Sequence, residues 1–290
     1  MEYREKPPRS IPVTEKTTLL PFLQANLPGK SRNTVKNILA RGQAEVDGQR
    51  VTRHDHPLSP GQTVVLLPEG AARAALPFPL LYEDARLLAV DKPAGLLSMA
   101  NEKERERTAY RAVTAYVRSR APGRRVFIVH RLDRDTSGVL LFAKDEDMKR
   151  ALQDNWAGLV RRRGYLALTE GRPPQAADTV RTLLRENAAH KVYSVPKGGR
   201  EAVTRYRTLS ANERFALLEV DLETGRKNQI RAHLSELGCP VAGDRTYGAV
   251  QDPLGRLCLH AHALVLRDPF TRQERSFLAP APKEFARLAR

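Results

Sequence analysis

From Leu80 onward the chain breaks into many short apolar runs separated by Gly, Pro and Asp turns. LLAV (87–90), VFIV (126–129), GVLLFA (138–143), YLALTEG (165–171), FALLEVDL (215–222) and LCLHAHALVL (257–266) each have the length of a strand. One clear helical stretch, roughly 146–160, stands among them. This pattern predicts an α+β domain over 80–290, built on a large, mostly antiparallel sheet. The hydrophobic fraction of 41 % supplies a core and excludes wholesale disorder. No window nears the ~18 continuous apolar residues of a membrane helix. The start, MEYREKPPRS, has no apolar signal core. Two cysteines, Cys239 and Cys258, cannot build a disulfide framework. A cytoplasmic protein without membrane contact is the expectation.

A smaller unit precedes the sheet. Residues 1–11 are polar and contain Pro7-Pro8, which reads as a flexible arm. Leu19, Leu20, Phe22, Leu23 and Leu27 recur at helical spacing, and Pro28-Gly29 ends that helix. Ser31 is placed to cap a second helix, which carries Val35, Ile38 and Leu39 on one side and is closed by Gly42. Asp47-Gly48 between short extended runs predicts a hairpin, because both turn positions need positive φ. Thr63 to Leu67 reads as a further strand. Lys30, Arg32, Lys36 and Arg41 lie on or beside the second helix, where a solvated helix face competes with phosphate contact as their explanation. The stretch SRNTVKNILARGQAEVDGQRV followed by SPGQTVVL resembles the RNA-binding domain named after small-subunit ribosomal protein S-four. That resemblance assigns 12–69 to such a domain and makes the four basic residues RNA contacts. Residues 70–79, GAARAALPFP, read as a linker.

The chain holds 49 Lys+Arg against 33 Asp+Glu, a net charge of +16. A surplus of that size points to a polyanionic partner, most often nucleic acid. Most of it falls in 80–290 rather than in the small unit. The larger domain is therefore expected to grip the partner itself.

The densest polar stretch is His130-Arg131-Leu132-Asp133-Arg134-Asp135-Thr136-Ser137-Gly138, a loop between two apolar runs. Loops held by rigid strands are where sites are built. The plain alternative is a turn in which Asp135 and Thr136 bond backbone amides. An Asp between two Arg residues is expected to stay ionised, which suits a nucleophile or electrostatic partner. Spacing alone leaves Asp133 and Asp135 equally eligible.

HRLDRDTSGVLLFAK resembles the signature of the RluA-type pseudouridine synthases, and further blocks agree in order. These are LLYEDARLLAVDKPAGLLS (80–98), RRRGYLALTEG (161–171), GREAVTRYRTL (199–209), LLEVDLETGRKNQIRAHLSELGCPVAGDRTYG (217–248) and RLCLHAHALVLRDP (256–269). The resemblance implies the pseudouridine synthase fold and an isomerase that turns uridine into pseudouridine in RNA, with no cofactor and no metal. It makes Asp133 the catalytic carboxylate, pairs Arg231 with it, and has Tyr165 stack on the flipped-out uracil, its phenol available to take the proton from carbon 5. Attack on the sugar, attack on the ring and abstraction of the 2′ proton all stay open for Asp133. Arg131, Arg134, His130 and Gln229 are expected to contact substrate. The expected substrate is large-subunit ribosomal RNA first and transfer RNA second, bound by a monomer. The rival from another class is a non-catalytic RNA-binding or ribosome-assembly factor on the same fold. Four positions in the catalytic domain depart from the family pattern: Asn228 stands for the usual His, Ser98-Met99 for His-Pro, and Arg163 for Lys. His260, His262 and Cys258 have metal-like spacing, but they sit in a core-strand pattern and are set aside.

Overall fold

The computed structural model describes residues 9–67, 74–102, 104–121 and 123–290. Its contacts divide into two units, Met1–Leu76 with Val113–Arg125, and Pro77–Ala112 with Val126–Arg290. The division between Leu76 and Pro77 falls inside the expected linker.

In the first unit, β1 (Arg9–Pro12), β3 (Ala44–Val46), β4 (Gln49–Arg50) and β6 (Thr63–Leu66) form one sheet in the order β1-β6-β3-β4. β2 (Thr17–Thr18) pairs with β5 (Pro57–Leu58). The helices α1 (Leu19–Asn26) and α2 (Arg32–Ala40) cover the sheet with Leu19, Leu23, Val35 and Leu39, all nearly inaccessible to solvent. Ser31 caps α2 by accepting from the Thr34 N–H at 3.2 Å. Asp47 (φ 50°) and Gly48 (φ 80°) make the expected hairpin turn. The arm over 1–11 is corrected in part. Residues 9–12 pair with β6, because Ile11 is apolar enough to bury against this core. The rest of the arm, 1–8, and 70–73 of the linker lie outside the described residues.

In the second unit, β7 (Leu80–Glu83) and β8 (Leu87–Lys92) are followed by β9 (Phe127–Ile128) and β10 (Ser137–Ala143); between them α3 (Ala109–Arg120) starts in this unit and from Val113 onward belongs to the first, so the expected domain over 80–290 is interrupted there. Then come α4 (Glu146–Asp154), α5 (Trp156–Leu159) and the long strand β11 (Val160–Glu170). β12 (Ala177–Glu186), β13 (Val192–Val195), β14 (Arg200–Ala211) and β15 (Phe215–Leu222) precede α6 (Gln229–Glu236). β16 (Leu259–Arg267), β17 (Glu274–Leu278) and α7 (Lys283–Leu288) close the chain. Among the described residues eleven strands form one sheet with the path β13-β12-β14-β15-β11-β16-β10-β8-β7, while β17 adds to β16 and β9 to β10. This is the large, mostly antiparallel mixed sheet expected of the fold.

The parallel contact lies between β10 and β16, where Ser137 faces His260 and Gly138 faces Ala261. Gly138 has φ 112°, and a Cβ there would lie 2.1 Å from the Ala261 carbonyl oxygen. Only glycine lets the two backbones approach this closely at the end of the polar loop. The expected helix over 146–160 is two helices, broken at Asn155 (φ −132°, ψ 39°). Asn is a residue whose side chain competes for backbone groups, so a helix readily leaves its path there. α3 was not anticipated, although Ala109, Val113, Tyr116 and Val117 form a buried helical stripe.

Candidate active site

The polar loop after β9, the head of β11 and the turn between β15 and α6 surround a cavity of about 1050 Å³. Its lining includes eight Arg or Lys residues against three carboxylates, Asp133, Asp221 and Glu223. That imbalance suits an anionic polymer.

The loop is tied down from behind. Lys92, at the end of β8, has no solvent exposure, and its ammonium donates to the carbonyls of Pro93 (3.0 Å), Leu96 (2.7 Å) and Arg134 (2.9 Å). Burial pushes its pKa down to about 8, with Asp135 and Asp133 acting the other way. Ser98 Oγ donates to the Leu132 carbonyl (2.7 Å) and accepts from the Leu132 N–H (3.1 Å). Both flanks of Asp133 are thus fixed by groups that the sequence reading did not single out as site residues. The departure from His-Pro at Ser98-Met99 leaves a serine in this holding role.

Asp133 lines the cavity, and its carboxylate has no hydrogen-bond partner among the described residues. Burial raises its pKa above the ordinary carboxylate value, and Arg231, then Arg131, Lys227 and Lys92, offset part of that rise. Removal from water thus outweighs the neighbouring cations in direction. Asp135 is exposed, lies 4.0 Å from Arg134 and does not line the cavity. The structure therefore separates the two aspartates that spacing could not.

Arg231 sits in the first turn of α6 with its side chain 15 % exposed. Its Nε donates to Asp244 Oδ2 at 2.6 Å, Nη2 to Asp244 Oδ1 at 2.8 Å, and Nη1 to Asn228 Oδ1 at 2.8 Å. The carboxylate fork expected to hold Asp133 is taken by Asp244, so the pairing with Asp133 is electrostatic rather than bidentate. Asp244 was missed, although the GDRTYG block contained it. A buried Asp announces itself only when the fold shows the cation it meets.

Tyr165 follows an irregularity in the pairing of β11 with β16, where Gly164 faces Ala263 and Tyr165 faces Ala261. It lines the cavity, and burial pushes its phenol up to about 12. A phenol at that value is protonated at neutral pH, so any proton it takes from carbon 5 must be taken during the reaction rather than by a standing phenolate. Arg163, on the same strand, is close enough to pull the other way on Tyr165 and donates to the Glu223 carbonyl at 2.6 Å. Its Nη1 would lie 2.5 Å from a Cβ at Gly225, so a side chain there would have to move the end of Arg163.

The remaining expected contacts divide. Arg131 is exposed and lines the cavity, with the Met99 sulfur 4.0 Å from its guanidinium. Arg134 is exposed outside the lining and donates to the Gly95 carbonyl at 3.2 Å. His130 lines the cavity, but its Nε2 accepts from the Leu141 N–H at 3.0 Å and its ring stacks on Trp156 at 5.1 Å. Burial lowers its pKa to about 4, so it stands as a neutral brace rather than a cation. Gln229 is 2 % exposed and wholly engaged within the fold: its oxygen accepts from Thr224 Oγ1 and the Arg226 N–H, and its nitrogen donates to the Val203 carbonyl and Thr204 Oγ1. It shapes the turn before α6 and has no polar group left over for substrate. Lys30, Arg32, Lys36 and Arg41 are exposed in the first unit. Among the described residues no cluster of three or more His, Cys, Asp or Glu is placed to hold a metal ion, and no helix is long and apolar enough to cross a membrane.

Asp133, Tyr165 and Arg231 thus line one basic cavity on a large, mostly antiparallel mixed sheet. The family model described as RNA pseudouridylate synthase matches residues 86–236, and the chain belongs to that family. A Synechocystis protein named as an uncharacterized RNA pseudouridine synthase is 33 % identical over 286 residues, covering 92 % of this chain and 86 % of the relative. The ribosomal large subunit pseudouridine synthase D of Xanthomonas campestris is 32 % identical over 280 residues, covering 90 % of this chain and 84 % of its own. Among solved structures, human RNA pseudouridylate synthase domain containing 4 superposes with a TM-score of 0.60 at 26 % identity, covering 75 % of this chain and 94 % of its own.

Proposed function

We propose that this enzyme isomerises specific uridines of large-subunit ribosomal RNA, with transfer RNA as the second candidate, and that Asp133 carries the reaction. The observation that carries this reading is the unpartnered Asp133 carboxylate at the wall of a basic cavity. Forming pseudouridine breaks the bond from ribose carbon 1′ to uracil nitrogen 1, rotates the base and rejoins it through carbon 5. The uridine must first leave its stack, at a cost of a few kcal/mol, which phosphate contacts along the cavity rim offset. Arg131 is placed to make such a contact. Asp133 then acts on the ribosyl–uracil unit, its ionised form favoured by Arg231. Once the new bond has formed, carbon 5 loses its proton and nitrogen 1 gains one; the Tyr165 ring stacks on the flipped base, and its phenol oxygen is the group that takes the carbon 5 proton. The large-subunit enzyme of Xanthomonas among the relatives supports the choice of ribosomal RNA. In the small unit, Lys30, Arg32, Lys36 and Arg41 contact phosphates, as in the ribosomal S-four-like domain that this stretch resembles. The enzyme works as a cytoplasmic monomer. Mapping pseudouridines on total RNA with and without this protein tests the reading. Loss of a site in large-subunit RNA is expected; an unchanged map refutes it.

A further inference from the structure

Asn228 is one of the positions where the chain departs from the family pattern, and it lines the cavity. Three features mark it. Its backbone is left-handed, with φ 52° and ψ 20°, a conformation uncommon outside glycine and most tolerated by Asn, Asp and His. It occupies the cap of α6, yet its side chain bonds none of the helix's free N–H groups. An Asn at a helix start ordinarily spends its oxygen there. Instead Oδ1 accepts from Nη1 of Arg231, three residues on, at 2.8 Å. The helix gives up its side-chain cap, and the backbone holds a strained conformation, for one contact with a guanidinium.

That contact completes a set. Arg231 has five N–H donors in a fixed plane. Asp244 takes one from Nε and one from Nη2, and Asn228 takes one from Nη1. Two remain, one on each terminal nitrogen. With only Asp244 the plane could still rock about the bidentate axis; a third anchor at the opposite nitrogen stops that. The Tyr247 ring, 4.8 Å from the guanidinium carbon, backs the assembly. Arg231 is also the strongest of the cations acting on Asp133, ahead of Arg131, Lys227 and Lys92.

We propose that Asn228 is a positioning residue that locks the Arg231 plane, with Asp244, so that its two uncommitted N–H groups serve Asp133 and the bound uridine. The proposal rests on the reading of Asp133 as the acting carboxylate. Asn228→Gly keeps the left-handed backbone and deletes the acceptor; Asn228→Asp keeps both. The probe is total RNA labelled with uridine tritiated at carbon 5, taken from cells lacking this protein, and the readout is tritium released to water in single turnover across pH. Asn228→Gly is expected to lose roughly tenfold in rate, the size of one hydrogen bond to a charged group. Its acid limb is expected to move to higher pH, because a loosened Arg231 favours the ionised Asp133 less. Asn228→Asp is expected to keep most of the rate. A wild-type rate in Asn228→Gly overturns the proposal. So does a slower rate with an unmoved acid limb, which marks a merely structural role. Asp133→Asn is run alongside, since turnover by that variant removes the underlying reading and this proposal with it.

Discussion

Replacing Asp244 by Asn tests whether the Asp244–Arg231 pair is what holds the site. The Asp244 side chain is 1 % exposed and Arg231 15 %, so neither charge has water to fall back on. Removing one partner from a buried pair costs about 3–5 kcal/mol, mostly from the charge left behind. Asn keeps one acceptor oxygen, which puts this variant at the low end, about 3 kcal/mol. For a unit of this size each kcal/mol lowers the melting temperature by about 2–4 °C, so the transition should fall by about 6–12 °C. Activity should fall further than stability alone explains, because Arg231 is the principal cation favouring ionised Asp133. The acid limb of the rate profile should also rise. The double variant Arg231→Met/Asp244→Leu separates the two effects. Replacing a buried pair by apolar residues is often neutral, so its melting temperature should return close to wild type while activity stays absent. Calorimetry and tritium release measure the two quantities. A single variant with unchanged melting temperature and rate would refute the assignment of Asp244 as the anchor of Arg231.

Asp133→Asn should abolish pseudouridine formation and leave the fold as stable as wild type or more so at neutral pH. The sign follows from burial: the folded pKa is raised, so wild-type stability declines as pH climbs from the ordinary carboxylate range through that raised value. The gap between the variant and wild type in thermal melts should widen over that window and then level off. Gly138→Ala should cost at least ~2 kcal/mol in denaturant unfolding, since the new Cβ meets the Ala261 carbonyl oxygen at 2.1 Å in a positive-φ conformation; an unchanged midpoint would contradict the close approach of β10 and β16. Replacing Lys30, Arg32 and Lys36 together by Ala should flatten the salt dependence of RNA binding by up to about three phosphate contacts, read from the slope of log affinity against log salt. The single-turnover rate at saturating RNA should be untouched, and a wild-type slope would remove these residues from the interface.

The residue pattern determined much by itself. Strand-length apolar runs between turn residues left a large sheet as the way to bury 41 % hydrophobic composition. Asp47-Gly48, Ser31 and Gly42 fixed local turns and caps because their demands are met within a few residues. The motif around Asp133 singled out a loop that lines the cavity, and Tyr165 and Arg231 reach the same cavity from elements far along the chain. What the tertiary structure alone decided concerns groups whose behaviour depends on what is packed against them. The sequence showed two arginines beside Asp133, but only the fold shows that the loss of water outweighs them and raises its pKa. Gln229 and His130 looked available in the sequence, yet the fold occupies their polar atoms. Arg231 was expected to fork onto Asp133 and instead forks onto Asp244, thirteen residues away, with Asn228 taking a third donor. Lys92 reaches three carbonyls across two loops. Local preference is written in neighbouring residues, whereas desolvation and hydrogen-bond partnership are set by distant segments that meet only once the sheet has closed over the site.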